Sequence, residues 1–180
     1  MQFLEKTKKS IFSLFILVLL ILSFFVFKFA LEKEKIYSPK ITDEQIFTDF
    51  EVKDLIEGKK INFNKVLFGK NFYLINIWSS WCEPCKHESD KLLEIKKDTS
   101  IMMIGINYKD KKRNALNFLK LYGDPFDQIF VDKKGLISIN FGAYGVPETF
   151  LINNDNKVLK KYIGPLNDKD IYEIKKIINN

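Results

Sequence analysis

The hydrophobic pattern begins with one long apolar segment near the N-terminus. Residues 11–27 carry no charge, and apolar residues resume after Lys28. A helix over Ile11 to Leu31 would be about 30 Å long, which matches the hydrocarbon core of a bilayer. The pattern therefore predicts a transmembrane anchor over residues 11–31.

Charges on the two sides of this segment indicate its orientation. Lys6, Lys8 and Lys9 precede it, which by the positive-inside tendency puts residues 1–10 in the cytoplasm, although lysines also follow it. A cleaved signal peptide is the alternative, but the apolar stretch is longer than the usual hydrophobic region and no small-x-small cleavage site follows. We therefore expect a single-pass protein of the inner (cytoplasmic) membrane, with the remainder on the periplasmic side.

The next residues predict a tether and then the start of a domain. Residues 32–44 are polar and contain Pro39, as expected of a short linker, and residues 45–180 form the predicted domain. Short apolar pieces between Thr48 and Phe63 flank Glu57-Gly58-Lys59 and predict a hairpin. The run Phe72 to Trp78 is almost continuously apolar, which is typical of a strand covered on both faces.

Helical and strand patterns then alternate to the end of the chain. Cys85, Glu88, Leu92 and Ile95 recur at spacings of three and four, which places them on one face of a helix. The later predicted elements are a strand over Ile101–Ile106, a helix around Ala115, Phe118, Leu119 and Tyr122 that ends at Gly123, a short strand at Phe130-Val131, a helix over Gly135–Phe141, a hairpin over Glu148–Ile163, and a closing helix through Ile171, Ile174 and Ile178, capped by Asn167 or Asp168. This order predicts an α/β sandwich with a central mixed sheet.

The only two cysteines, Cys82 and Cys85, lie between the buried strand and the first of these helices. At a helix N-terminus, unpaired N–H groups and the helix dipole stabilise an anion, so a thiolate forms more readily there. Cys82 is the candidate nucleophile and is expected to be the more exposed sulfur. Pro84 suits a first helical turn because its missing N–H would have had no partner.

Three other uses of a C-x-x-C pair are less favoured. A structural disulfide closing so small a loop would restrain the unfolded chain little. A zinc site would need His87 and carboxylates as further ligands, and a c-type haem site requires histidine where Lys86 stands. Dithiol redox chemistry is therefore predicted, with no metal and no cofactor.

Composition excludes one broad class of partner. The net charge of +6 belongs partly to lysines around the apolar segment, and the remaining excess is small and scattered. Arg113 is the only arginine, so bidentate phosphate recognition is not a theme of this chain. We expect no nucleic acid partner.

Several motifs in order resemble one known family. The pattern W-C-x-x-C between a strand and a helix, with a later proline-containing loop, resembles the thioredoxin superfamily. The resemblance narrows to the DsbE (CcmG) branch, the thiol:disulfide interchange proteins of cytochrome c maturation, and covers about residues 45–180. It rests on Trp78-Ser79-Ser80-Trp81-Cys82-Glu83-Pro84-Cys85 with Glu88, Gly105-Ile106-Asn107-Tyr108-Lys109-Asp110, Tyr122-Gly123-Asp124-Pro125-Phe126 and Gly142-Ala143-Tyr144-Gly145-Val146-Pro147-Glu148-Thr149-Phe150-Leu151-Ile152.

The resemblance implies roles for residues outside the C-x-x-C pair. It implies a cis bond between Val146 and Pro147 beside Cys82, a Val146 backbone that binds an extended substrate, and acidic residues Glu88 and Glu148 near the site. The fold it implies is a thioredoxin-like sandwich with a central mixed sheet, preceded by a hairpin extension and the transmembrane helix.

Three side chains near the site have alternative interpretations. An inward-facing Glu88 would have its pKa raised by desolvation and could exchange a proton with Cys85, whereas a solvated Glu88 would pair with Lys91. Glu148 is either a site residue or a surface group at a strand end. Trp81, beside the nucleophile, is predicted to be a lid or docking surface rather than core.

The predicted function is a membrane-anchored, extracytoplasmic dithiol:disulfide oxidoreductase. By resemblance, it would reduce the haem-site disulfide of an apocytochrome c, or the cytochrome maturation thiol protein that handles it. Its electrons would come from a membrane-embedded thiol:disulfide donor. The alternatives are a general oxidase or isomerase of secreted proteins, and a copper-delivery protein that uses both thiolates.

Overall fold

The computed structural model describes residues 2–32, 48–97 and 101–179. The chain divides into two units, Met1–Pro39 and Lys40–Asn180. The first unit contains helix α1 (Gln2–Glu32), in which Ile11–Phe29 has a mean hydropathy of 2.7. A helix of this length and composition can cross a bilayer, and a secretion signal can share this character. The predicted tether lies outside the described residues except for Glu32.

The second unit begins with the predicted hairpin. Strands β1 (Glu51–Lys53) and β2 (Lys60–Asn62) pair antiparallel, and a 3-10 turn over Phe63–Lys65 follows. Gly58 has a φ of 71°, the left-handed conformation that glycine adopts without cost, so the hairpin turn forms at the glycine that predicted it.

A five-stranded mixed sheet occupies the centre of this unit, as predicted. Its strands are β3 (Phe72–Trp78), β4 (Ile101–Tyr108), β5 (Gln128–Asp132), β6 (Glu148–Asn153) and β7 (Val158–Ile163). The order across the sheet is β5-β4-β3-β6-β7. Strands β3, β4 and β5 run parallel, whereas β6 and β7 are antiparallel to their neighbours.

Four helices cover the sheet: α2 (Glu83–Lys96), α3 (Lys112–Tyr122), α4 (Leu136–Asn140) and α5 (Asp168–Ile178). Ile75, on one face, packs in a cluster with Phe63 of the hairpin segment and Ile137 of α4. On the other face, Leu74 packs in a cluster with residues of α2 and α5. Leu74 and Ile75 are both fully buried, so the prediction of a strand covered on both faces is confirmed.

The last helix is capped by Asn167 rather than Asp168. The Asn167 side chain accepts hydrogen bonds from the backbone N–H groups of Lys169 and Asp170, while the Asp170 carboxylate accepts one from the Asn167 N–H. This reciprocal capping box satisfies N–H groups that the helix itself cannot pair.

The hairpin also attaches to the edge of the sheet. Leu55 N–H donates to the Ile129 carbonyl at 2.8 Å, and Asp54 forms an antiparallel bridge with Phe130. Strand β5 would otherwise be an open edge at these residues, so the hairpin segment continues the sheet by a short stretch.

Candidate active site

The two cysteines lie where β3 gives way to α2. Cys82 is the N-cap residue of α2, and Cys85 lies in its first turn. The two sulfurs form a disulfide, and the Cys85 backbone N–H donates to the Cys82 sulfur at 3.2 Å. Strand β3 is parallel to β4, so the pair lies beyond the carboxyl ends of these strands, as predicted.

Cys82 was expected to be more exposed than Cys85, but the two cysteines are equally buried. Cys82 is 3% exposed and Cys85 is 2% exposed, because both belong to a hydrophobic cluster with Trp78 and Phe118. What distinguishes them is the helix end. The Cys82 sulfur occupies the capping position and receives an N–H, an arrangement that stabilises negative charge on this sulfur.

Glu88 lies one turn beyond Cys85 and is completely buried. One carboxylate oxygen accepts from Asn76 Nδ2 at 3.0 Å, and the other accepts from the Leu166 backbone N–H at 3.2 Å. Asn76 also donates to Thr149 Oγ1 at 2.9 Å. The alternative in which Glu88 pairs with Lys91 is wrong, because Lys91 forms an ion pair with Asp168 instead.

Burial controls the protonation of Glu88. Removal from water raises the pKa of Glu88 from its ordinary value of 4.5 to about 7, and the hydrogen bonds from Asn76 and Leu166 only partly oppose this. A cavity of about 10 Å³, roughly the room that one water molecule needs, is lined by Glu88, Asn76 and Cys85 among others. Within the described part of the chain, Asn76 Oδ1 is buried without a hydrogen-bond partner.

Glu148 is buried as well, so its interpretation as a surface carboxylate is wrong. Its Oε1 accepts from the backbone N–H groups of Tyr144 and Gly145 at 2.6 and 2.8 Å. Its Oε2 lies 2.7 Å from Lys161 Nζ, and this ion pair is almost wholly buried. Glu148 therefore supports the loop that leads to residues 146 and 147.

The loop supported by Glu148 carries the predicted cis bond. The peptide between Val146 and Pro147 is cis. Val146 packs against the hydrophobic cluster that contains both cysteines, so the loop lies at the same end of the sheet as the disulfide. The use of the Val146 backbone to bind a substrate stays a prediction.

Trp81 lies on the surface beside the disulfide. Its side chain is 58% exposed, in agreement with the prediction that it is not a core residue. Its indole Nε1 donates to the Lys109 carbonyl at 3.2 Å. Ser80, which precedes Trp81, is held by the Asp110 carboxylate. The Ser80 N–H and the Ser80 Oγ donate to the two Asp110 oxygens at 2.7 and 2.9 Å.

Charged residues around the disulfide largely pair with each other. Lys86 forms an ion pair with Glu83, which lowers the pKa of Glu83 and raises the pKa of Lys86. His87 is exposed.

Sequence reasoning missed three polar residues that organise this site. They are Asn76, Thr149 and Asp110. A signal for two of them was available, because Asn76 and Thr149 are polar residues next to apolar runs in buried strands, and a buried polar residue usually has a hydrogen-bonding role.

Comparison with protein families gives a match over most of the second unit. The Redoxin family model matches residues 41–178. The thiol:disulfide interchange protein DsbE of Allochromatium vinosum is 32% identical over 136 residues, which cover 76% of this chain and 74% of that protein. The thiol:disulfide interchange protein CycY of Rhizobium leguminosarum bv. viciae is 42% identical over 92 residues, and this match spans 51% of the chain and only half of CycY.

Solved structures share the fold. A putative thioredoxin from Neisseria meningitidis superposes with a TM-score of 0.63 at 26% identity, covering 76% of this chain and 91% of that one. A putative thiol:disulfide interchange protein DsbE from Chlorobium tepidum superposes with a TM-score of 0.61 at 22% identity, and the match covers 77% of this chain and 95% of that one.

Proposed function

Since the chain belongs to the DsbE/CcmG family of the thioredoxin superfamily, whose fold it shares and whose members are thiol:disulfide oxidoreductases, we propose that it reduces disulfides in partner proteins outside the cytoplasm. The observation that carries this proposal is the position of the Cys82–Cys85 pair. It forms a disulfide at the N-terminus of α2 with a backbone N–H directed at the Cys82 sulfur.

The reaction begins from the dithiol form. The Cys82 thiolate attacks one sulfur of the partner's disulfide, which forms a mixed disulfide and releases the partner's other sulfur as a thiolate. Cys85 then loses its proton and attacks the Cys82 sulfur. The Cys82–Cys85 disulfide forms, the second partner sulfur leaves, and two electrons have passed to the partner.

Glu88 is the proposed acceptor of the Cys85 proton. Its carboxyl group lies on the same helix face one turn away, and a cavity lined by both residues has about the room that one water molecule needs. A group with a pKa of about 7 can both take up and release a proton near neutral pH. Asn76 and the Leu166 N–H hold the carboxyl group in place.

The proposed docking surface for the partner combines Trp81 with Val146 and Pro147. Trp81 presents an exposed ring next to Cys82, while Val146 lies beside the cluster that holds the disulfide. By analogy with the family, the Val146 backbone pairs with an extended segment of the partner. Glu148 acts indirectly, by supporting this loop from its buried side.

The proposed setting is the biogenesis of c-type cytochromes. The partner is an apocytochrome c whose haem-site cysteines have oxidised, or the maturation protein that handles it, and a membrane thiol:disulfide protein returns the electrons. Helix α1 is proposed to anchor the chain through residues 11–31, with residues 1–10 in the cytoplasm and residues 32–44 as the tether. The apolar character of Ile11–Phe29 supports this arrangement.

A trapping experiment tests the function. Replacing Cys85 with Ala removes the resolving sulfur, so the mixed disulfide through Cys82 should persist and can be isolated from native membranes under non-reducing conditions. The matched control, Cys82→Ala, keeps Cys85 and should trap nothing. Captured proteins that include no cytochrome maturation component would contradict the pathway, and equal trapping by both variants would contradict the role of Cys82.

The reduction potential distinguishes a reductant from an oxidase. Equilibration of the full chain with glutathione buffers should give a potential near that of thioredoxin, about −270 mV. A potential near that of DsbA, about −120 mV, would favour the alternative of a general oxidase.

A further inference from the structure

A groove lies between three segments that are distant in sequence. One wall is the hairpin turn after β1, another is the loop that enters α3, and the third is the end of β5. Four lysines and two carboxylates line it, together with Leu55 and Val131, and its volume is about 430 Å³. The lysines, which define what we call the basic groove, are Lys53, Lys111, Lys112 and Lys133.

The carboxylates in the basic groove already bind backbone N–H groups. Asp54 Oδ1 accepts from the N–H groups of Ile56 and Glu57 at 2.7 and 2.6 Å. Asp110 accepts from Ser80 and from the Lys111 N–H, and these bonds outweigh its partial burial and lower the pKa of Asp110. Both carboxylates shape the loops, and the four lysines of the groove outnumber them by two.

The lysines, by contrast, are not neutralised. Lys112 Nζ donates to the Ile56 carbonyl at 2.6 Å, which links the hairpin turn to α3 but leaves the charge uncompensated. Among residues 48–97 and 101–179, no carboxylate forms an ion pair with Lys53, Lys111 or Lys133. Lysines at the start of α3 are also unfavourable next to the positive end of the helix dipole, so an anion here would relieve this repulsion.

Three residues that line the basic groove also contact residues of the redox site. Leu55, which lines the groove, belongs to the same hydrophobic cluster as Cys82 and Cys85, and Val131 packs against that cluster. Asp110, on its wall, binds Ser80, which lies two residues before Cys82. The groove and the disulfide are therefore linked through Leu55, Val131 and Asp110.

We propose that the basic groove binds an acidic segment of the partner protein, next to the disulfide that is reduced. This inference rests on the proposed function for the identity of the partner, but the charge and shape of the groove are independent of it. A protein segment fits better than a lipid surface because the groove is concave and its lining combines lysines with Leu55 and Val131. Binding there holds the partner's disulfide near Cys82.

The test uses the full chain in a neutral detergent and three synthetic peptides. Each peptide carries the same two-cysteine disulfide, flanked by glutamate, serine or lysine residues, and a small neutral disulfide serves as a fourth substrate. The reduced protein should react with the glutamate peptide about eight-fold faster than with the serine peptide, because each of three solvent-screened contacts contributes about a factor of two. The preference should disappear near 1 M salt, where the Debye length is about 3 Å.

Charge-neutral variants locate the effect. Lys53, Lys111 and Lys133 are all replaced with Gln, while Lys112 is kept because it links the hairpin to α3. The control replaces three exposed lysines outside the groove, Lys65, Lys169 and Lys176, with Gln. The groove variant should lose the preference and retain its rate with the neutral disulfide, whereas the control variant should keep both.

A binding measurement separates this inference from the proposed function. Fluorescence anisotropy with a cysteine-free glutamate peptide reports on the groove even if no variant reduces any disulfide. Equal binding by the wild type and the Gln variant, or equal reaction rates for glutamate and lysine peptides, would overturn the inference. Should the triple variant fold poorly, Lys133→Glu alone should lower the preference for the glutamate peptide over the serine peptide from about eight-fold to about two-fold, because one of the three contacts becomes repulsive.

Discussion

The buried carboxyl group of Glu88 gives a stability that depends on pH. When the protein unfolds, Glu88 returns to water and its pKa falls from about 7 to its ordinary value of 4.5. Between these two values the folded state retains a proton that the unfolded state has lost. The free energy of unfolding therefore falls as the pH rises from 4.5 to about 7, and this contribution is constant outside that window.

The size of the effect follows from the two pKa values. A shift from 4.5 to about 7 corresponds to about 3 kcal/mol of stability lost across the window. Replacing Glu88 with Gln removes the titration and keeps the size of the side chain. The amide can accept from the Leu166 N–H and, with the Asn76 amide turned over, donate to the unpartnered Asn76 Oδ1.

Urea unfolding of the oxidised full chain in neutral detergent, followed by tryptophan fluorescence, measures this difference. The midpoint of the wild type should fall by roughly 1 to 3 M urea between pH 4.5 and pH 8, relative to the midpoint of Glu88→Gln. Glu83→Gln, an exposed position on the same helix, is the matched control and should keep the wild-type slope. Parallel pH profiles for the wild type and Glu88→Gln would refute the reasoning.

Three further substitutions test the supports of the site. Lys161→Met leaves the Glu148 carboxylate buried without its counter-ion and should lower the free energy of unfolding by about 3 kcal/mol, measured by thermal unfolding. Adding Glu148→Gln to this variant should recover most of the lost stability. No recovery would mean that the broken ion pair is not the cause. Asn167→Ala should cost about 1 kcal/mol in urea by removing the cap of α5, and an unchanged midpoint would contradict the capping role. Gly105→Ala should lower the free energy of unfolding by about 1 to 3 kcal/mol, because the new Cβ would lie 2.9 Å from the rings of Phe126 and Trp78. The control, Gly145→Ala, has open space around its new Cβ and should leave thermal stability nearly unchanged. Equal effects of the two substitutions would refute the packing argument.

Strand boundaries were predictable where the hydrophobic pattern ended sharply. Strand β3 begins and ends at Phe72 and Trp78, as expected from an apolar run bounded by polar residues. Strand β4 continues beyond the predicted Ile106 to Tyr108. The sequence pattern suggested an earlier end because Asn107 is polar, but its side chain is buried and donates to Asp110.

The partners of the charged residues were much less predictable. Glu88 was expected either to face inward and exchange a proton with Cys85, or to pair with Lys91, which is three residues away on the same helix. Its actual partners, Asn76 and Leu166, come from a strand and a loop that only the packed sheet brings to α2. Periodicity reports which face a residue occupies, but it carries no information about which distant segment covers that face.

Closing the β5 edge with the hairpin also affects how copies of this protein meet. An uncovered strand edge offers unpaired N–H and C=O groups to any neighbouring chain and is a common start of aggregation. Here Leu55 and Asp54 occupy part of that edge, and the opposite edge strand, β7, carries the charged Lys160. Many copies can therefore be crowded together without joining their sheets into one continuous ribbon.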